Sequence, residues 1–338
     1  MTTAARADAP AALAGAAVAA AEARQINRGL WLGLLGIAIF SATGPMTKLA
    51  VGSDSAPQLS PWFVTFGRAA VAGALSAAYL LVQRWRGERR VPAGRQWAWL
   101  AFTGLGVVVG FPLFFALALQ HVPSTHGAVV TGLLPLATAL VAALWFRQQP
   151  SLGFWVCAVS GCALVLAFML LRSADSAGHL SLHLADVFLL LAMLSAALGY
   201  ISGARLTPLL GAEAVICWVL VLALPLTVPM ALLHWPANLG QIRTASWWGF
   251  AYVAVFSMWL GFFAWYRGLA LGGALRVSQV QLVQPFLSLM VAYPLLGETV
   301  DAVTLAFGLA VIATVFLGKK MPVGSARAAP AAPPGPAD

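Results

Sequence analysis

Apolar residues run in long, unbroken stretches along most of this chain, and polar residues gather in the short segments between them. A membrane-spanning helix needs about 20 mainly apolar residues. Ten stretches meet or approach that length: residues 30–51, 61–83, 97–119, 126–146, 152–171, 184–204, 212–233, 247–267, 275–296 and 302–318. None shows the alternation over about ten residues that a membrane β-barrel strand would show. The pattern predicts an all-α polytopic membrane protein with ten transmembrane helices. The flanking segments 1–29 and 319–338, rich in Ala and Pro, are expected to be disordered tails. The Ala-rich run at 11–20 has acidic Asp8 before it and Arg24 and Arg28 after it, the reverse of a cleavable signal peptide.

Composition strengthens this picture. The 338 residues are 61% hydrophobic and 9% charged, with a mean hydropathy of +0.88. Soluble domains are about 45–50% apolar and about 25% charged. The net charge of +9 would suggest nucleic acid in a soluble protein, but its distribution points to a membrane. With ten spans and both termini inside, 15 of the 19 Lys and Arg fall on the cytoplasmic side, and only Arg172 and Arg243 fall outside. That is the positive-inside bias of an inner-membrane protein. Sixteen Arg against three Lys is a usage associated with bacterial genomes rich in G and C. Cys157, Cys162 and Cys217 lie within expected spans, without the spacing of a zinc site.

The chain also repeats. Trp97 and Trp247, Leu119 and Leu269, and Pro135 and Pro285 each stand 150 residues apart. Residues 30–171 and 184–318 then hold five expected spans each. An odd number per repeat inverts the second copy in the membrane, an arrangement that places a solute site between the halves and permits alternating access.

Two runs carry a family resemblance. ALQHVPSTHGAVVTGLLPLATALVAALWF at 118–146 resembles the third-to-fourth-helix region of the EamA family, in the drug/metabolite transporter superfamily. WYRGLALGGALRVSQVQLVQPFLSLMVAYPLLGE at 265–298 resembles its second copy, and KLAV at 48–51 and FGRAA at 66–70 resemble its first two helices. The resemblance implies two EamA repeats of five helices and export or exchange of small metabolites, often amino acids. The chain departs from the family where Phe40 and Ala196 stand in place of frequent tryptophans. It departs again where Arg147-Gln148-Gln149 replaces an acidic residue.

Ionisable residues inside spans are costly, and Lys48 and Arg68 stand out. Either they form a cationic patch for a carboxylate or phosphate, or they snorkel to the headgroups. No Asp or Glu falls in the middle of a span, which argues against proton-coupled export of cationic drugs and for a neutral, zwitterionic or anionic solute. His126, at the start of the fourth span, is expected at the outer interface. In the ninth span Ser278, Gln281, Gln284 and Ser288 share one face, which either lines a cavity or bonds between helices. Pro45, Pro135 and Pro285 free the carbonyls of Ser41, Thr131 and Gln281 and are expected to act as hinges. Tyr252, Phe256, Trp259, Phe263 and Tyr266 form an aromatic stripe in the eighth span, read either as a solute path or as packing.

Enzyme readings find no motif: no H-E-x-x-H, no G-x-S-x-G and no phosphate-cradling loop. Ser160 stands without a placed histidine, and His179 and His183 make a weak metal pair in an outer loop. No cofactor or metal is expected. The expected partners are a small-molecule solute and the bilayer, with no nucleic acid, and a homodimer is compatible with such a chain. The function expected is secondary transport of an amino acid or related carboxylate, with Arg68, Gln281, Gln284, Ser278, Trp259, Ser41, Thr43 and Lys48 as candidate solute contacts. An exchanger of nucleotide-sugars or phosphate esters, or a lipid-handling membrane enzyme, are the alternatives.

Overall fold

A computed structural model describes residues 8–87, 90–145, 149–172, 183–272, 277–320 and 323–324. It is built almost entirely of helices. The first, α1 (Asp8–Ser41), continues after a break at Ala42 into α2 (Thr43–Val51). A two-residue hairpin, β1 (Gly52–Ser53) with β2 (Ala56–Pro57), then turns the chain. Gly52 sits at φ +75, and a Cβ there would collide with the Ala56 carbonyl, so only glycine fits this turn. Next come α3 (Pro61–Trp85), α4 (Gln96–Gly104) and α5 (Phe111–His121), the last two joined by a π-helical turn at Leu105–Gly110.

The fourth stretch divides into α6 (Ser124–Thr131) and α7 (Leu134–Trp145), and α8 (Leu152–Arg172) follows. The chain continues with α9 (Leu184–Leu210), α10 (Ala212–Leu233), α11 (Thr244–Tyr252) and α12 (Gly261–Gly272). A second π-helical segment, Val253–Leu260, joins α11 to α12. A 3-10 turn at Ser278–Val283 leads into α13 (Gln284–Leu296), and α14 (Ala302–Lys320) ends the helices. Strands β3 (Gln149–Pro150) and β4 (Val323–Gly324) pair antiparallel.

The expectations at both tails need correction. Helix α1 begins at Asp8 rather than near residue 30, because the run from Ala11 is mostly alanine, the strongest helix former. At the other end α14 extends to Lys320, and Val323–Gly324 pairs with the segment after α7. Residues 321–322 and 325–338 lie outside the described residues.

Among the described residues, six helical segments are long and apolar enough to cross a membrane: Ala20–Val51, Pro61–Trp85, Gln96–His121, Leu184–Leu210, Ala212–Leu233 and Thr244–Gly272. Shorter apolar helices follow at Gln284–Leu296 and within α8 and α14. Large aliphatic side chains such as Leu105, Leu152, Val159, Leu194 and Leu209 stand exposed on these helices, as a bilayer permits and water does not. The molecule is a polytopic membrane protein.

Helices far apart in sequence pack as neighbours: α1 on α12, α3 on α10, α5 on α9, α8 on α14 and α6 on α13. Missing side chains make the first of these pairs tight. A Cβ on Gly268 would come within 2.7 Å of the Gly33 nitrogen, one on Gly36 within 3.1 Å of the Trp265 nitrogen, and one on Gly29 would collide with Gly272. The α4–α5 and α9 contact is similar, with a Gly106 Cβ 2.9 Å from the Gly199 Cα. Close approach of backbones through small residues is how helices associate where lipid removes the hydrophobic drive between them.

Substituting Gly268→Leu is expected to destabilise the protein by about 1–3 kcal/mol. The loss should appear as a lowered melting temperature in detergent, with Gly240→Ala, whose Cβ would meet nothing within 4 Å, as an unshifted control. An unshifted Gly268→Leu would show that the seam can open.

Candidate functional site

Three of the helices are interrupted shortly before or at a proline. Pro45 is the third residue of α2, after the break at Ala42, and Pro285 is the second residue of α13, after the 3-10 turn. Pro135 is likewise the second residue of α7, beyond the break at Gly132 and Leu133, though its side chain lies outside the described residues. A proline lacks the N–H that would bond back four residues, but it fits the first turn of a helix, so each of these breaks restarts cleanly.

All three breaks meet at one internal cavity. Thr43 and Gly44 from α2, Thr131 and Leu134 from α6 and α7, and Gln281, Gln284, Pro285 and Ser288 from the ninth stretch line it. Arg68 of α3, Tyr200 of α9, Val107 of the first π turn and Ser257 of the second complete the wall with Phe40, Phe111, Phe115, Ala128 and Phe262. The cavity volume is about 40 Å³, room for a few waters at about 10–15 Å³ each. It is closed around nothing larger.

Arg68 defines its electrostatics. The side chain is 2% exposed, its Nε has no hydrogen-bond partner, and among the described residues no carboxylate pairs with it or lines the cavity. Gln281 is 4% exposed, with Oε1 also unpartnered. A buried charge without compensation is costly, so this wall is suited to an anionic group. Thr43 Oγ1 and Ser257 Oγ lie 2.8 Å apart and tie α2 to the second π segment.

The structure therefore brings Arg68, Gln281, Gln284, Thr43 and Pro285 together on this wall, while Ser41 and Trp259 make other contacts. Ser41 Oγ donates back to the Ile37 carbonyl at 2.6 Å, inside its own helix. Trp259 packs against Phe263, with ring centroids 5.0 Å apart, and is not among the residues lining the cavity. The side chain of Ser278 lies outside the described residues. The stripe read with ordinary helical spacing crosses the π segment, where each turn takes an extra residue. It does not stay on one face: Phe256 is exposed, Tyr266 is buried, and Phe262, off the stripe, reaches the cavity. Nor does the Gln281 carbonyl stay free, since the Gln284 N–H takes it in the 3-10 turn.

Lys48 lies apart from Arg68. Its Nζ donates to the Leu119 carbonyl at 2.6 Å and the Val122 carbonyl at 3.1 Å, at the C-terminal end of α5, where a cation complements the helix dipole. Glu298 does the converse for α6: its carboxylate accepts from the Ser124 and Thr125 backbone N–H groups and the Ser124 hydroxyl, each at 2.9 Å. These contacts border a second, open cavity of about 870 Å³, lined by Asp54, His121, His126, His183, Asp186 and Glu298. His126 is one of the residues on this cavity. It is 7% exposed, and its Nε2 is 2.9 Å from Oδ1 of Asp186, itself 1% exposed. Among the described residues no group of three or more metal-binding side chains converges; His179 lies outside them. A third cavity of about 810 Å³ opens where Arg84, Arg90, Glu213 and Arg267 gather, with Arg267 and Glu213 paired at 2.9 Å.

One family profile matches the chain twice, over residues 27–170 and 183–318, and its description is the EamA-like transporter family. The chain belongs to that family. Relatives within it are named as transporters. The chain is 41% identical over 291 residues to "Uncharacterized transporter YdeK" of Bacillus subtilis (strain 168), covering 86% of this chain and 96% of that one. It is 24% identical over 275 residues to "Uncharacterized transporter YyaM" of the same organism, covering 78% and 85%. A solved crystal structure superposes with a TM-score of 0.58 at 18% identity over 86% of this chain and 95% of that one, a likeness of fold.

Sequence reasoning missed Tyr200, Phe262 and Glu298 as structural neighbours of the cavities. Tyr200, the one tyrosine of α9, was a legible signal; the turn of Phe262 into the cavity was not, because it depends on the π segment. Replacing Glu298 by Ala should lower the melting temperature by the equivalent of about 1.5–3 kcal/mol, the range for hydrogen bonds to a charged group. Glu298→Gln should recover part of that loss, and an unaltered melting temperature in Glu298→Ala would show that α6 does not need this cap.

Proposed function

We propose that this EamA-like transporter is a secondary transporter of the bacterial inner membrane that exports or exchanges a small carboxylate-bearing metabolite, an amino acid or a related acid. The observation that supports this reading is Arg68: a buried guanidinium without a counter-charge, on the wall of a cavity where three helices are interrupted. Arg68 takes the solute carboxylate, and Gln281 and Gln284 take its remaining polar groups, with Thr43, Ser288 and Tyr200 around them. A nucleotide-sugar or phosphate ester would call for more positive side chains than the one guanidinium found there among the described residues. Lys48, engaged with the carbonyls of α5, leaves the anion to Arg68.

The mechanism we infer is alternating access between two inverted halves of five spans each. The double family match over 27–170 and 183–318 supports two related halves. So does the packing: shifting every span by five turns the contact of α1 with α12 into that of α9 with α5, and returns α3 with α10, α8 with α14 and α6 with α13 to themselves. The π segments at Leu105–Gly110 and Val253–Leu260, and the breaks before Leu134 and Gln284, recur near the 150-residue offset. Pro45, Pro135 and Pro285 let half-helices swing at the cavity, which must widen to admit a solute. The basic face with Arg84, Arg90, Arg205 and Arg267 is cytoplasmic, along with both termini, and the cavity with Asp54 and Glu298 opens outward.

Counterflow into proteoliposomes preloaded with mixed amino acids and organic acids, read by mass spectrometry, tests this. One solute class should exchange in the wild type, and Arg68→Ala should lose at least about tenfold of that exchange, the lower end for a charge-assisted hydrogen bond. Full exchange by Arg68→Ala at normal expression would remove the anion role.

A further inference from the structure

The cavity of about 870 Å³ holds a buried pair that the solute reading does not use. His126 and Asp186 are 7% and 1% exposed, and they meet across the molecule, His126 on α6 and Asp186 on the first turn of α9. Asp186 is fixed from its other oxygen, which accepts the His183 backbone N–H at 3.1 Å. The His126 ring lies 5.0 Å from that of Phe168. Asp186 thus also serves as a helix cap, but a cap needs no histidine, and a buried titratable pair in a membrane protein is expensive unless it does something.

We propose that His126 and Asp186 form a proton-binding latch that makes the opening of this cavity, and with it transport, depend on the pH of the compartment it faces. The inference rests on the transporter reading above for the solute it serves, but the proton site stands on its own geometry. Imidazole is the side chain whose ordinary titration falls between pH 5 and 8. With Nε2 engaged by the carboxylate, Nδ1 is the atom that takes a proton from the water of the cavity. Before uptake the pair buries a net negative charge; after uptake it is imidazolium and carboxylate, net neutral and more strongly attracted in a medium of low dielectric. Proton binding therefore holds α6 against α9, and opening between them releases the proton. Other charges facing the same space are Asp54 paired with His121, Glu298 on the end of α6, Asp301, His183 and the Lys48 ammonium at the end of α5.

Both helices that carry the pair also build the solute cavity. Ala128 and Thr131 of α6 and Tyr200 of α9 line it. Thr131 is five residues beyond His126, about 7.5 Å along a helix. Parting of the pair moves two walls of the solute site at once. In a chain oriented with this cavity outward, a proton taken from outside latches the outer face shut and returns to the same side when the face reopens, so the pair sets how readily that face opens at a given external pH.

Two measurements on the full-length protein test this. The first needs no solute: hydrogen–deuterium exchange of residues 124–131 in lipid nanodiscs from pH 5.5 to 8, corrected for intrinsic rates. Opening that releases one proton becomes about tenfold more populated per pH unit, so wild-type exchange should rise across the range and His126→Gln should flatten it. Should His126→Gln fail to fold, Asp186→Asn is expected to flatten it as well. Identical pH responses in wild type and a folded variant would overturn the proton site. The second follows exchange of the mixed amino-acid and organic-acid pool in proteoliposomes as the external pH is varied from 5.5 to 8. Exchange that follows external pH in the wild type and no longer does so in His126→Gln supports the latch, and the same pH dependence in both overturns it. If no member of the pool moves, the solute class is at fault and the hydrogen–deuterium measurement alone decides the proton site.

Discussion

Inside a bilayer a peptide group cannot turn to water, so helices must close their own hydrogen bonds or be interrupted where something else meets the need. This chain is interrupted in three helices, before α2, α7 and α13, around one small cavity, and the rest of the site depends on that. Among the described residues Arg68 of α3 is the only charged side chain lining it, and the cavity volume is about 40 Å³. A solute that neutralises Arg68 would remove the main cost of the arrangement.

Charge is handled differently away from the cavity. Lys48, Glu298 and Asp186 each sit at the end of a helix and hold main-chain groups there. Each bond of Lys48 and Glu298 joins elements that are separate in sequence, so the open cavity of about 870 Å³ has a rim held by cross-links. The pairing of His126 with Asp186 adds a further link, between α6 and α9. The molecule thus separates two electrostatic tasks: attraction at the centre, and cohesion at the rim.

Much of the fold was readable in the residues. The long apolar runs announced membrane helices, and the prolines at 45, 135 and 285 marked where helices restart. Arg68, Gln281, Gln284 and Thr43 were singled out by the cost of burying polar groups in lipid, and the structure gathers them in one cavity. Lys48 was drawn to notice by the same cost, yet its partners are carbonyls at residues 119 and 122 that no local pattern pointed to. Trp259 stands within a π segment that the sequence does not mark, and there it packs against Phe263. His126 looked interfacial because it begins a helix, and only the distant Asp186 explains its burial.

The glycines between α1 and α12 have a mechanical consequence. Along this seam, at Gly29, Gly36 and Gly268, backbone meets backbone, while Gly33 and Gly272 leave room for the Val277 side chain. Such a surface resists sliding, because a shift of one residue would drive the main chain of one helix against the side chains of the other. It can still rock, since at these backbone contacts nothing protrudes to jam a small rotation. The contact between α4–α5 and α9 through Gly106 and Gly199 has the same character. The two seams are therefore fulcrums, and the motion they allow is that of levers turning on fixed edges.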